Sequence, residues 1–153
     1  GVTTLEDLNL FKNLTKLNFY SIFEESKITS LTLLNVTTVD HYFVHKSTAL
    51  EVLQLPKLNE IIGIYPFLFN PKLHTVVMTS PGDILIPDST NIFRGGSDGE
   101  YDPANVTLYL NKDKLTQSPT ITAPNQWAHQ TWKAIYICDD YALKDDPSCI
   151  LVE

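Results

Sequence analysis

Leu50-Glu51-Val52-Leu53-Gln54-Leu55 places leucines at the first, fourth and sixth positions of a short run. Over Leu53-Gln54-Leu55 the alternation has the two-residue period of a strand that turns one face inward. The same spacing recurs as ITSLTL at 28–33, 22 positions earlier, and as LHTVVM at 73–78, 23 positions later. A further copy, LEDLNL at 5–10, lies 23 positions before Ile28. An apolar pattern that returns every ~20–29 residues is the signature of leucine-rich repeats. One such unit cannot bury its apolar face alone; stacking successive units as parallel strands buries it against the neighbours. The inward column then reads Leu8 and Leu10, Leu31 and Leu33, Leu53 and Leu55, Val76 and Met78.

The agreement continues past the strand. Val36 and Leu58 both stand eight residues from the start of their units. Val39-Asp40-His41-Tyr42-Phe43 matches Ile62-Gly63-Ile64-Tyr65-Pro66-Phe67 once one residue of slippage is allowed. The third copy is looser, with Ile84, Ile86 and Ile92-Phe93 in similar roles. An ordinary sheet domain whose alternation recurs is the competing account, and the likeness in the second half of each unit argues against it. In the first unit Leu14-x-x-Leu17-x-Phe19 competes with Leu5 for the strand register, and both stay open. The expected fold is a leucine-rich-repeat solenoid: short parallel strands stacked into a curved right-handed coil, few short helices, and a C-terminal capping element.

The string NEIIGIYPFLFNPKLHTVVM at 59–78 resembles the BspA-like leucine-rich repeats of bacterial surface proteins, whose units run roughly x-I-G-x-Y-A-F-x-x-C-x-x-L-x-x-I-x-L. Ile62, Gly63, Tyr65 and Phe67 stand at motif positions, followed by Leu73, Val76 and Met78. The preceding unit fits more loosely, with Asp40 in place of the glycine and Lys46 near the usual cysteine. NVTLYLNKDK, followed by WAHQTWKAIYI, is similar to the family's closing element of strand, short helix and Trp-bearing strand. The likeness covers about residues 20–138; the missing repeat cysteines and an insertion after Phe93 depart from it. The resemblance implies an exported protein of the bacterial cell surface.

At 153 residues the chain is long enough for one core. Its 43% hydrophobic and 19% charged residues suit a folded domain rather than a disordered one. A net charge of −7 argues against nucleic acid, whose binding needs clustered Lys and Arg. The acidic surplus gathers late, in Asp139-Asp140 and Asp145-Asp146, and reads as a solubilising surface. No stretch reaches the ~18 apolar residues of a membrane span. Residues 1–25 lack the basic start and apolar run of a signal peptide, and Gly1 in place of Met points to a leader or lipid anchor removed beforehand. Cys138 and Cys149 could close a disulfide around a 10-residue loop, or remain two thiols with Cys138 in the core strand IYIC.

The organisation expected is one domain over 1–153. Residues 1–27 form an N-terminal cap or irregular first repeat, and 28–110 carry the repeats with a glycine-rich loop inserted near 94–104. Residues 111–153 form the C-terminal cap. Leu108 and Leu110 extend the inward column, 111–117 reads as a short helix with Asn111 as N-cap, and Trp127, Trp132, Ile135 and Ile137 seal the end.

The chain is poor in catalytic patterns. His41-x-x-x-His45 has the spacing of two zinc ligands on a helix, but Tyr42 stands where a catalytic Glu would be, and both histidines fall on a turn. No nucleophile elbow, P-loop or dinucleotide fingerprint is present. The carboxylates of 98–102 lack the spacing of a calcium loop. Three N-x-T sequons begin at Asn13, Asn35 and Asn105; two overlap inward positions and read as chance.

The outward face of the strands remains: Ser30 and Thr32, Val52 and Gln54, Thr75 and Val77, Thr107 and Tyr109. Thr32, Gln54, Val77 and Tyr109 occupy equivalent places, so a partner crossing the strands would touch all four. This uncharged stripe suits protein or glycan and offers no acid, base or nucleophile. The expected function is a non-enzymatic binding or adhesion module at the bacterial cell surface, without cofactor or metal, acting through this concave face. The alternative is a structural spacer within a larger surface protein.

Overall fold

A computed structural model describes residues 12–17, 26–63, 66–67, 70–87, 93 and 102–153. Eleven short strands run through them: β1 (Lys16–Leu17), β2 (Ser30–Thr32), β3 (Thr38–Val39), β4 (Val52–Gln54), β5 (Glu60–Ile61), β6 (Thr75–Met78), β7 (Thr107–Asn111), β8 (Gln126–Trp127), β9 (Gln130–Thr131), β10 (Ala134–Cys138) and β11 (Ile150–Leu151). Six of them make one sheet in the order β11-β10-β7-β6-β4-β2. Its pairings are parallel except at the edge, where β11 runs antiparallel to β10. A second sheet, β1-β3-β5, is parallel throughout, and β8 and β9 form a hairpin.

Register follows the spacing of the apolar positions. Leu31 pairs Leu53, Leu53 pairs Val76, Val76 pairs Leu108 and Leu108 pairs Ile135, forming one row across five strands. Every member of that row is buried, as are Leu33, Leu55, Met78 and Leu110 beyond it. A one-residue slip would turn the row to solvent, so burial holds the register. In the second sheet Leu17 pairs Val39 and Val39 pairs Ile61, each 22 residues on. The Leu14-x-x-Leu17 run therefore belongs to the smaller sheet, and Leu14 packs against the core. The rival register at 5–10 and Phe19 lie outside the described residues, as do Tyr65, Ile92 and the loop at 94–101.

The second sheet also corrects the expected slip at the glycine. Because Val39 faces Ile61, His41 rather than Asp40 lies opposite Gly63. A Cβ on Gly63 would sit 2.7 Å from the His41 Cα, so only glycine permits this approach. Deeper in, Asn70 is fully buried and bridges two turns. Its Oδ1 accepts from the Ser47 N–H at 2.9 Å and its Nδ2 donates to the Phe67 carbonyl at 2.7 Å, which satisfies backbone groups no strand reaches.

Aromatic rings pack together in the core. Phe67 stacks on Phe93 at 5.6 Å, and Phe93 meets Trp127 at 5.4 Å and Trp132 at 5.7 Å, all four rings buried. Both indole N–H groups are satisfied, Trp127 donating to the Pro119 carbonyl and Trp132 to the Trp127 carbonyl. Ile135 is buried in the same core cluster, whereas Ile137, paired with the edge residue Ile150, is half-exposed. The helix expected over 111–117 is a single 3-10 turn, Lys112–Leu115, capped by Asn111 Oδ1 accepting from the Asp113 N–H.

Candidate functional site

Side chains alternate across β2, β4, β6, β7 and β10, so the residues flanking the buried row point away from the core. One outward row is Ser30, Val52, Thr75, Thr107 and Ala134; the other is Thr32, Gln54, Val77, Tyr109 and Tyr136. The structure thus brings Thr32, Gln54, Val77 and Tyr109 side by side, but it does not leave them open. Gln54 is 8% exposed and Val77 0%. The expected open stripe is corrected at these two positions.

The cover is the loop joining β10 to β11. Cys138 and Cys149 are joined by a disulfide at the neck of this hairpin, directly beside the Ile137–Ile150 pair. Residues 139–148 fold back over the sheet. The Tyr141 N–H donates to the Thr79 carbonyl at 3.0 Å, and Thr79 Oγ1 donates to the Ala142 carbonyl at 2.6 Å. Asn111 Nδ2 donates to Asp140 Oδ1 at 3.0 Å, and Lys112 Nζ to Asp139 Oδ1 at 2.8 Å. Two strands away, the Lys144 N–H donates to Gln54 Oε1 at 3.0 Å, while Gln54 Nε2 donates to Thr32 Oγ1. The loop therefore runs from Thr79 to Gln54, the register partner of Val77, and Val77 lies beneath it.

Tyr109 and Tyr136 form the end of the row on β7 and β10. Their rings stack at 4.9 Å with an interplanar angle of 13°, and both side chains are half-buried. Burial, with Tyr136 adding to it, pushes the Tyr109 hydroxyl above its ordinary pKa. Sequence reading missed Tyr136, Thr79 and the second role of Asn111. The cysteine pair bracketing a short loop next to a sheet strand was the available signal.

His41 and His45 lie on a turn rather than a helix; the His45 ring packs on Tyr42 at 5.0 Å and His41 lies 3.7 Å from Asp40. Among the described residues no group of three or more His, Cys, Asp or Glu could hold a metal ion, and no helix is long and apolar enough to cross a membrane. Lys114 is fully buried on the 3-10 turn, its Nζ without a hydrogen-bond partner. Desolvation lowers its pKa against the opposing pull of Asp83 and Asp113. Ser118, Thr120, Thr122, Gln126, His129 and Thr131 line a separate cavity of about 490 Å3 beside the β8–β9 hairpin.

Comparison with known proteins finds no matching family model, no matching curated protein and no matching solved structure.

Proposed function

We propose that this chain is a short leucine-rich-repeat array of the kind its sequence resembles, serving as a non-enzymatic binding or adhesion module at a bacterial cell surface. The observation that carries the reading is the stacked Tyr109–Tyr136 pair on the outer face of the six-stranded sheet. Paired tyrosines offer ring area and hydroxyl donors at little cost in side-chain entropy, which suits contact with protein or glycan. Thr107, two residues before Tyr109 on the same face of β7, adds a small polar side chain beside them. The disulfide supports placement in an oxidising, exported setting.

The spacer reading has one observation in its favour: Gln54 and Val77, central to the face, are already satisfied by the chain's own loop. A glycan array and a pull-down of surface proteins, run with the parent and a Tyr109→Ala/Tyr136→Ala variant, separate the two. Retention by the parent and its loss in the variant support the binding module. Capture of nothing by the parent favours the spacer.

A further inference from the structure

We infer that the cavity beside the β8–β9 hairpin is a binding site for a neutral saccharide, separate from the outer face of the sheet. Its volume of about 490 Å3 falls within the range of about 300–1,000 Å3 typical of small-ligand sites. Ser118, Thr120 and Thr122 form one wall and Gln126, His129 and Thr131 the other, all six exposed. The chemistry of this lining is selective. Among the described residues that line the cavity none is Asp, Glu, Lys or Arg. An anion finds no permanent cation there, and a metal ion finds no carboxylate. Hydroxyls and a carboxamide instead offer donors and acceptors side by side, which is what the hydroxyls of a sugar need. Thr120 Oγ1 donates to the Gln117 carbonyl at 3.3 Å, which leaves its lone pairs to accept from an incoming hydroxyl. Pro119 and Ala128 add carbon surface for the C–H face of a sugar ring.

The walls are preformed. Trp127 is buried, and its indole N–H donates to the Pro119 carbonyl at 2.6 Å, tying the hairpin to the other wall. The Thr122 N–H donates to the Gln126 carbonyl at 3.1 Å, joining the two again. Ser118 is fixed to the rest of the chain, its N–H donating to Asp83 Oδ1 at 2.9 Å and its carbonyl accepting from the Ile84 N–H at 3.0 Å. A preorganised site loses little freedom when a ligand arrives. The hairpin turn is itself unusual. Ala128 and His129 have φ of 50° and 62°, the left-handed region that a two-residue hairpin turn fills with least strain by Asn or Gly. Strain of this kind survives where the surroundings enforce it, and it gathers at ligand sites. Ala128 is buried, so the polar side chain that the turn brings to the cavity is His129, with two ring nitrogens for hydrogen bonds.

The test titrates the whole chain with lactose, cellobiose, maltose and N,N′-diacetylchitobiose, followed by NMR shifts of the backbone amides and the Trp127 indole N–H. The panel sets equatorial hydroxyls, an axial hydroxyl and acetamido groups in turn against the cavity. A saturable shift at Gln126, His129 and Thr131 with at least one of these sugars is expected. His129→Gly removes the imidazole while suiting the left-handed backbone, so it should fold like the parent and bind about tenfold more weakly. Gln126→Ala, a change at an exposed side chain, should weaken binding to a similar degree. Tyr109→Ala with Tyr136→Ala should leave the sugar affinity unchanged, so this site and the outer face are read separately. No saturable shift at the hairpin with any of the sugars would overturn the proposal. Undiminished affinity in both His129→Gly and Gln126→Ala would do the same. A stronger response of these amides to inorganic phosphate would make the cavity an anion site and overturn it as well. Shifts confined to Tyr109 and Tyr136 would assign the sugar to the outer face, against this proposal and in favour of the binding reading above.

Discussion

Replacing both cysteines, Cys138→Ser with Cys149→Ser, isolates what holds the loop at 139–148, a flap over the outer row of the sheet, in place. The bond spans a sequence separation of 11, and a loop of that size loses about 3 kcal/mol of closure entropy from the open state when cross-linked. At about 1.4 kcal/mol per decade, 3 kcal/mol is about a hundredfold in the equilibrium between seated and open flap. The loop's other hold is its hydrogen bonds to Thr79, Asn111 and Gln54, which the variant keeps. The β11 ladder has two residue pairs, and Lys112–Asp139 is an exposed pair, of the class that adds little to stability. The effect should be local, because the flap packs on the outer row while the core row lies on the other side of the sheet. Native-state hydrogen exchange reads this directly. The Tyr141 and Lys144 amides, whose acceptors are Thr79 and Gln54, should exchange about a hundredfold faster in the variant. The Leu55 amide, bonded to the Val77 carbonyl within the sheet, should keep its protection. Unchanged exchange at Tyr141 and Lys144 would refute the tether argument. Equal losses at Leu55 would show instead that flap and sheet open as one unit.

Leu53→Ala, at the centre of the buried row, should cost about 2–5 kcal/mol in denaturant unfolding, because close packing on both sides leaves a cavity. Lys114→Met should raise stability by about 1–3 kcal/mol by removing an unpartnered buried donor. Its pH dependence carries the sign: the folded-state pKa lies below that of the unfolded chain, so the unfolded chain binds more protons in the window between them. The parent therefore gains on the variant as pH rises toward 10.5, and chemical denaturation at two alkaline pH values checks it. Asn70→Ala should cost about 1–3 kcal/mol by stranding the Ser47 N–H inside the protein, read as a lowered denaturant midpoint with unchanged slope.

Which side chains turn inward was legible because burial imposes a period that composition cannot hide. Leu31, Leu53, Val76 and Leu108 stand at matching places in the sequence and in one row of the sheet. Trp127 and Trp132 were legible as core residues, since large apolar rings in a folded chain gain most from burial. The smaller sheet was harder to see. Its strands have two residues each, too short for an alternation to show, and the equivalence of His41 with Gly63 emerges only from pairing. The flap was illegible for a different reason. Asp139-Asp140 and Asp145-Asp146 carry the composition of a solvated loop, and three of the flap's five contacts to the sheet use main-chain groups that every residue possesses.

One residue does mark the cover in the sequence once its neighbours are known. Along the outward row Thr32, Gln54, Tyr109 and Tyr136 all carry a polar group, while Val77 alone is aliphatic. An aliphatic side chain at the middle of an otherwise polar outward row is what a permanently wet face would not need. It suits a position from which water is excluded, and Val77 has no exposed surface. Gln54 beside it has both amide atoms committed, Nε2 to Thr32 and Oε1 to Lys144, so leaving the flap open exposes an acceptor as well as apolar surface.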